Sequence, residues 1–234
     1  MCTLSVIPTT VGIRIAFNRD ERRDRLPALP PSTHQLARRR AVYPVDPVGG
    51  GTWIGVNDRG IVAAVLNCTP RLALPAPGAS KSRGLIVPAI LSTDDLEAAV
   101  GAAARIDPAQ CALFTLIVLR GRRAVVFSSD GHDLSSAAAD VTRPLLLTSS
   151  SLGDHVVRAP RERLFDQLVT RDPSAWPAAQ QAFHDHQWPL RPAISVRMER
   201  ADARTVSRTV IDITGDDIRL SYEPVAEMAI GQAA

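Results

Sequence analysis

The start of the chain carries a thiol where a nucleophile would be easiest to activate. Met1 precedes the small residue Cys2, so removal of the initiator methionine leaves one residue with both an α-amine and a thiol. The ordinary pKa values of these groups are about 8 and about 8.5, so the amine is a suitable general base for the thiol of its own residue. The pattern predicts a cysteine nucleophile. The alternative is that Cys2 is merely a small residue in a strand.

A hairpin would return the chain to this thiol. Residues 4–7 and 13–17 are β-rich runs, and residues 8–12 between them carry turn signals. With the turn centred on Thr10, antiparallel pairing places Cys2 opposite Asn18. Arg19 and Asp20 then lie within a side-chain length of the thiol. We expect Arg19 to favour the thiolate and Asp20 to orient the amine.

Composition limits the classes of function. The chain has 234 residues, is 45% hydrophobic and has a formal net charge of +3, enough for one well-packed domain over residues 1–234. The run at 38–40 is the only dense cluster of arginines, so we expect no nucleic-acid partner. No apolar stretch approaches the length of a membrane span, so we expect no stable membrane insertion. A homo-oligomer is compatible with the sequence.

The three cysteines, Cys2, Cys68 and Cys111, form neither a disulfide framework nor a metal-ligand spacing. They are typical of a reducing compartment, and no signal peptide is recognisable, so we predict a cytoplasmic protein without a metal or other cofactor. The segment His184-Asp185-His186 carries two imidazoles around a carboxylate. A metal site is one interpretation, and a loop at a helix end is the one we favour.

The remaining pattern predicts segregated antiparallel strands and helices. Residues 27–51 are rich in proline and glycine, and we expect a loop there. A helix is expected after Ser92 or Thr93, another from Pro160, and a third after Pro173. The expected later strands are residues 52–56, 61–66, 111–119, 122–128, 144–148, 193–199, 205–213 and 218–222. This order predicts an α+β sandwich with helices packed outside.

Several of these motifs together resemble a known family. The motifs are Met1-Cys2, Asn18-Arg19-Asp20-Glu21, residues 50–55 (Gly-Gly-Thr-Trp-Ile-Gly), Arg59-Gly60 and, more weakly, residues 82–85 (Ser-Arg-Gly-Leu). They resemble the NRDE proteins, also called the transport and Golgi organisation 2 family. The resemblance implies a four-layer αββα sandwich of antiparallel sheets, the N-terminal nucleophile (Ntn) hydrolase fold, related to the choloylglycine hydrolases and penicillin V acylases.

The resemblance also implies roles for residues beyond the hairpin. Asn67 ends the second predicted hairpin, where the hydrolases place an oxyanion-hole asparagine; its alternative is a polar residue satisfying its own turn. Ser150 stands where relatives carry a second asparagine, and ordinary turn chemistry is its alternative. Arg208, with Arg204 as second choice, matches a late active-site arginine, and both are alternatively exposed strand residues. Asn18 and Trp53 are expected to contact substrate.

Two functions from different classes follow. The first is a hydrolase or acyltransferase acting on an amide or related acyl bond of a small molecule, with Cys2 as nucleophile. The second is a carrier on the same fold for an apolar anionic ligand such as haem or acyl-CoA, which rests on the resemblance alone. A third interpretation is a structural domain whose catalytic group has decayed, and retention of Met1 would favour it.

Overall fold

A computed structural model describes residues 2–69 and 82–226. The prolines, glycine and serines of residues 71–82 predict a loop, and all of that segment except Ser82 lies outside the described residues. The strands within those ranges are β1 (Cys2–Pro8), β2 (Gly12–Arg22), β3 (Leu29–Gln35), β4 (Arg40–Val45), β5 (Ile54–Asn57), β6 (Ile61–Asn67), β7 (Phe114–Arg120), β8 (Arg123–Ser129), β9 (Leu134–Asp140), β10 (Leu145–Ser149), β11 (Ala203–Thr214) and β12 (Asp217–Pro224). The helices are α1 (Ile86–Leu91), α2 (Leu96–Ala104), α3 (Asp154–Leu168) and α4 (Trp176–Asp185).

The strands form two antiparallel sheets. The first has five strands in the order β10-β1-β2-β11-β12, and the second has seven in the order β3-β4-β5-β6-β7-β8-β9. The N-terminal hairpin therefore lies in the middle of the first sheet, where both of its strands have hydrogen-bonded neighbours on each side. A central position fixes the register of Cys2 on two strands at once.

A shared apolar core joins the two sheets, and the helices cover their outer faces. The inner core draws aliphatic and aromatic side chains from both sheets, among them Leu4, Phe17 and Ile211 from the first and Ile54, Leu66 and Ile117 from the second. Helices α1 and α2 pack on the second sheet, and α3 and α4 on the first. The order of layers is helix, sheet, sheet, helix, which confirms the predicted αββα sandwich.

The predicted loop over residues 27–51 was wrong for two strands. Strand β3 contains Pro30 and Pro31 but is an edge strand of its sheet, and its pairing with β4 shifts register between Leu29 and Ser32. Proline lacks the backbone donor of a ladder, so an edge or an irregularity tolerates it. Pro44 in β4 lies beyond the residues that pair with β5.

Two other element predictions also fail. Helix α3 begins at Asp154, and Pro160 lies in its interior. The Asp154 carboxylate accepts the backbone N–H groups of Ser150 at 2.8 Å and Thr69 at 3.0 Å. The helix start is therefore fixed both by the preceding turn and by a residue 85 positions earlier in the chain. The expected strand at 193–199 is a short 3₁₀ turn followed by a single bridge from Glu199 to Arg204.

A network of hydrogen bonds between buried polar side chains joins α4 to the first sheet. Ser5 Oγ lies 2.8 Å from His184 Nε2, and His184 Nδ1 lies 3.0 Å from Asn18 Oδ1. Asn18 in turn donates to the His184 carbonyl, and Gln180 donates to Ser5 Oγ. Because Asn18 Oδ1 can only accept, Nδ1 carries the proton of a neutral imidazole. Helix α4 ends at Asp185, so residues 184–186 lie at a helix end, as predicted.

Burial lowers the pKa of His184 from its ordinary value of 6.5 to about 3, and the nearby arginines 208, 161 and 14 act in the same direction. The unfolded chain therefore binds a proton below pH 6.5 that the folded chain does not bind, so acidification destabilises the fold.

None of the helices in the described ranges combines the length and apolar character needed to cross a bilayer.

We predict that the free energy of unfolding falls on acidification by about 2 kcal/mol between pH 7 and pH 5 through His184 alone. Chemical denaturation at both pH values measures the fall. His184→Gln should be less stable at pH 7 and lose less on acidification. In the control variant His132→Gln, which replaces an exposed histidine, the free energy of unfolding should fall between pH 7 and pH 5 by as much as in the wild type. An equal loss in wild type and His184→Gln would contradict the assignment.

Candidate active site

A cavity of about 460 Å³ opens at the end of the sandwich where β1 begins. Its wall comes from the start of β1, the end of β2, the loop before β5, the end of β6 and the turn before α1. The residues that line it are Cys2, Arg19, Asp20, Glu21, Arg25, Asp46, Gly51, Thr52, Trp53, Val65, Asn67, Ser82, Arg83, Gly84 and Ala112. Five of the predicted site residues therefore share one cavity, whose size suits a small molecule.

Cys2 lies directly opposite Arg19 in the β1–β2 pair, and Thr3 lies opposite Asn18. The predicted register was wrong by one residue, because the hairpin is centred between Thr10 and Val11 and not on Thr10. Since side chains of directly opposed residues share a face, Cys2 and Arg19 point to the same side of the sheet. The backbone N–H of Cys2 donates to Ser149 Oγ at 3.1 Å.

Burial dominates the chemistry of the thiol. Cys2 is 6% exposed, and desolvation raises the pKa of its thiol above the ordinary value. The charge of the amino terminus, the backbone N–H of Asp20 and the Arg19 guanidinium oppose this rise without cancelling it. The expectation that Arg19 favours the thiolate has the right direction, but burial outweighs it. The resting group is a neutral thiol that needs a base.

Arg19 forms part of the cavity wall. Its guanidinium donates to Glu21 at 3.0 Å and to Asp46 at 3.3 Å. It also lies 4.3 Å from the centre of the Trp53 ring. A guanidinium on an aromatic face with two carboxylate partners is held in one orientation. Arg19 therefore fixes Trp53 and the loop of Asp46 beside Cys2.

Asp20 points to the helix-covered side of the sheet at the cavity end. Thr205 Oγ1 donates to its Oδ1 at 2.6 Å, and its Oδ2 is buried without a hydrogen-bond partner in the described part of the chain. Burial raises the pKa of Asp20, while the charge of Arg161 and the Thr205 hydrogen bond act against that rise. An unpaired buried carboxylate oxygen is costly, so this atom is suited to accept a further donor.

Arg161 is a residue that the sequence analysis did not assign to the site. It lies on α3, is 1% exposed, and donates to Thr3 Oγ1 at 2.8 Å and Thr148 Oγ1 at 2.6 Å. Its other donors reach the carbonyls of Ile194 and Ser195. The sequence carried a signal for it, because Arg161 falls on the apolar stripe of its helix. The charge of this guanidinium lowers the pKa of Asp20 and so favours the charged carboxylate, against the larger effect of burial.

Asn67 ends β6 at the rim of the cavity. It pairs with Phe114 in the sheet, and its side chain is exposed. Within residues 2–69 and 82–226 its amide forms no side-chain hydrogen bond, so the turn-satisfying alternative has no support there. An exposed amide on the wall shared with Cys2 has a free N–H donor for a ligand.

A bulge in β11 separates the two candidate arginines. Pairing with β2 runs Thr205 to Asp20 and then Ser207 to Arg19, which leaves one residue unpaired between them. One extra residue reverses the alternation of faces. Arg208 therefore points toward α4, where it pairs with Asp185 and Glu223. Arg204, the second choice, lies opposite Glu21 instead.

Two further predicted site residues, Asn18 and Ser150, do not line this cavity. Asn18 faces α4, where it forms the buried hydrogen bonds with His184 described above. Ser150 sits in the connection from β10 to α3, where its hydroxyl accepts the N–H of Leu152 at 3.2 Å and its backbone donates to Asp154. This position agrees with the turn interpretation of Ser150.

The described ranges contain no group of three or more His, Cys, Asp or Glu side chains placed to hold a metal ion. None of the three cysteines, all of which lie in the described ranges, is part of a disulfide. Burial raises the pKa of the half-buried Cys68 to about 11, with Asp154 adding to the rise. At neutral pH the Cys68 thiol is therefore protonated and a weak nucleophile.

Known structures share this architecture. An N-acylethanolamine-hydrolyzing acid amidase ortholog from Caenorhabditis elegans superposes with a TM-score of 0.63 at 13% identity, covering 97% of this chain and 100% of that one. Penicillin V acylase from Agrobacterium tumefaciens gives 0.51 at 15% identity, covering 91% of this chain and 80% of that one. A mutant conjugated bile acid hydrolase from Clostridium perfringens gives 0.50 at 11%, covering 96% and 92%. At these identities the likeness shows the fold, which is that of the Ntn hydrolases.

The sequence itself identifies the family. A search of curated proteins finds no match. The model of the family described as Transport and Golgi organisation 2 matches residues 7–213, which is most of the chain and includes the NRDE tetrapeptide on β2. Together with the Ntn-hydrolase architecture, this match settles the relationship that the motifs first indicated: the chain belongs to the Transport and Golgi organisation 2 family.

Proposed function

We propose that this protein cleaves a carbon–nitrogen amide bond, or a related acyl bond, of a small molecule, with Cys2 as the nucleophile. The observation that carries the proposal is that Cys2 lines one cavity together with Arg19, Asp20 and Asn67. The solved structures that share the fold are named as an amidase, an acylase and a hydrolase, which supports amide substrates as a class.

The proposal assigns the base to the amino terminus. Removal of Met1 turns the backbone nitrogen of Cys2 into an α-amine of ordinary pKa about 8. That nitrogen already lies 3.1 Å from Ser149 Oγ. Asp20, whose Oδ2 has no partner in the described residues, is the acceptor for the ammonium form. A neutral buried thiol beside such an amine satisfies the requirement for an activated nucleophile.

The reaction then proceeds through an acyl-enzyme. The α-amine takes the thiol proton while Cys2 Sγ bonds to the substrate carbonyl carbon. The carbon–nitrogen bond breaks as the ammonium returns its proton to the departing amine, which leaves a thioester on Cys2. Water, deprotonated by the same amine, attacks the thioester and releases the acid and the thiol. Each step moves one proton between the α-amine and a reacting atom.

Negative charge on the carbonyl oxygen needs donors aimed at it. Asn67, with its uncommitted amide at the cavity rim, is the side chain we assign to this role. A single oxyanion donor contributes roughly 3 kcal/mol in well-studied hydrolases. Ser150 is not needed for this assignment, because its hydroxyl serves the turn before α3. Arg19 holds Trp53 as one wall of the acyl pocket.

The alternative carrier function, with haem or acyl-CoA as ligand, stays a prediction that nothing in the described structure tests. The same is true of a homo-oligomer, of the cytoplasmic location and of acyl transfer in place of hydrolysis.

One prediction of the proposed function concerns the nucleophile. Protein expressed without a leading tag should lack Met1 by intact mass and should gain one equivalent of a β-lactone probe, because ring opening acylates the thiol. Labelling should vanish in Cys2→Ala. It should persist in Cys68→Ala, because the pKa of the wild-type Cys68 thiol is raised to about 11 and this thiol is a weak nucleophile. Labelling that survives in Cys2→Ala would refute a nucleophilic Cys2.

A second prediction isolates the oxyanion donor. Asn67→Ala should slow acylation of Cys2 by the lactone about a hundredfold, because a tetrahedral oxyanion forms in that step. Alkylation of the same thiol by iodoacetamide involves no oxyanion, so its rate should change less than about twofold. Asn67 is exposed, and stability should change by about 0.5 kcal/mol or less. Parallel slowing of both reactions would assign Asn67 to cavity structure instead.

A further inference from the structure

We propose that Arg83 is an anion-recognition residue of the Cys2 cavity, and that the substrate is an amide bearing a negatively charged group such as a carboxylate. The inference rests on the proposed function, since it concerns the same cavity. It adds a substrate class that neither the fold nor the family match supplies.

Arg83 is held at the cavity by a close contact between two glycines. Gly84, the next residue, accepts the backbone N–H of Thr52 at 3.0 Å. A Cβ on Gly51 would lie 2.4 Å from the carbonyl carbon of Gly84, closer than atoms can pack. Only glycine permits this approach of two backbones. The turn that carries Arg83 is therefore fixed against the loop that carries Trp53.

The other guanidinium groups of the cavity have carboxylate partners. Arg25 donates to Asp46 at 2.6 Å. Arg19 donates to Glu21 and Asp46. These pairs involve both Glu21 and Asp46, and neither carboxylate forms an ion pair with Arg83 in the described ranges.

Arg83 differs from them. Its Nη1 donates to the carbonyl of Leu113 at 2.8 Å, and no Asp or Glu of the described ranges pairs with it. The residue is half-buried. Burial lowers the pKa of its guanidinium, against the opposing influence of Cys2, Cys111 and Glu21. A guanidinium has five donors, so most of those of Arg83 stay available for a ligand.

The chemistry of a guanidinium selects the ligand. Its planar fork matches a carboxylate with two parallel hydrogen bonds, and a partly desolvated cation gains most from a charged partner. Cys2 and Arg83 line the same cavity of about 460 Å³, so one small molecule can present its amide to the thiol and its anion to Arg83. A carboxylate on either the acyl or the amine portion meets this condition.

The test compares two alkylating reagents of nearly equal shape. Iodoacetate and iodoacetamide both form a bond from Cys2 Sγ to carbon and release iodide, after loss of the thiol proton. Because both require the same thiolate, the ratio of their rates cancels any change in the thiol pKa. Peptide mass spectrometry gives each rate at Cys2, with glutathione as the reference thiol. Butyrate and hexanoate, against hexanamide, are then tested for protection of Cys2 from iodoacetamide.

We expect the iodoacetate-to-iodoacetamide ratio at Cys2 to exceed that of glutathione by about tenfold or more, as a charge-assisted hydrogen bond provides. Arg83→Gln should abolish the excess, Arg83→Lys should retain part of it, and Arg143→Gln should leave it unchanged. Arg143 is exposed and loses the same formal charge. The carboxylates should protect the wild type better than hexanamide does.

Each other outcome decides against the inference. A wild-type ratio equal to that of glutathione, without selective protection by carboxylates, overturns it while leaving Cys2 as nucleophile. A preference that survives in Arg83→Gln assigns anion recognition to another residue. If neither iodoacetate nor iodoacetamide alkylates Cys2, the proposed function and this inference are both overturned. Because the wild-type ratio and protection need no variant, the test holds even if Arg83→Gln fails to fold.

Discussion

The central constraint of this structure is the antiparallel pairing that places Cys2 directly opposite Arg19 in the middle of a sheet. Pairing on the other side with β10 brings the Ser149 hydroxyl to the backbone nitrogen of Cys2. Two neighbouring strands thus determine where the thiol and the nitrogen of one residue lie. The inner core between the sheets, to which Cys2 itself belongs, makes any other register costly, because a shift of one residue would turn every side chain of β1 to the opposite face.

The second constraint is electrostatic. Buried charges occur on both sides of this hairpin, and each needs a partner. Arg161 and Asp20 balance each other under the helices, although they share no direct hydrogen bond. In the cavity, Arg19 and Arg25 share Glu21 and Asp46. The surplus donors on Arg83 and the unpaired Oδ2 of Asp20 are the exceptions, and they lie where the account places a substrate anion and an α-ammonium.

Alternation and turn residues are local signals, and they predicted the hairpins and placed Arg19 and Asp20 near Cys2. The four αββα layers and the site positions of Trp53 and Asn67 came from the family resemblance instead. Sequence alone could not place Arg208, since the bulge that reverses the faces of β11 leaves no local mark. The start of α3 was missed for a related reason: Asp154 binds Thr69, a residue far away in the chain. Pro30 and Pro31 argued against a strand that is acceptable only because it lies at an edge.

The claim on which the account rests is that the amine and the thiol belong to the same first residue. The most direct measurement compares the native chain with a form that has one alanine inserted between Met1 and Cys2. Methionine removal then leaves the amine one residue away from an unchanged thiol. We expect iodoacetamide still to alkylate Cys2, and acylation and its turnover to fall about a hundredfold or more, as loss of a general base does. Undiminished acyl turnover in the inserted form would contradict the account.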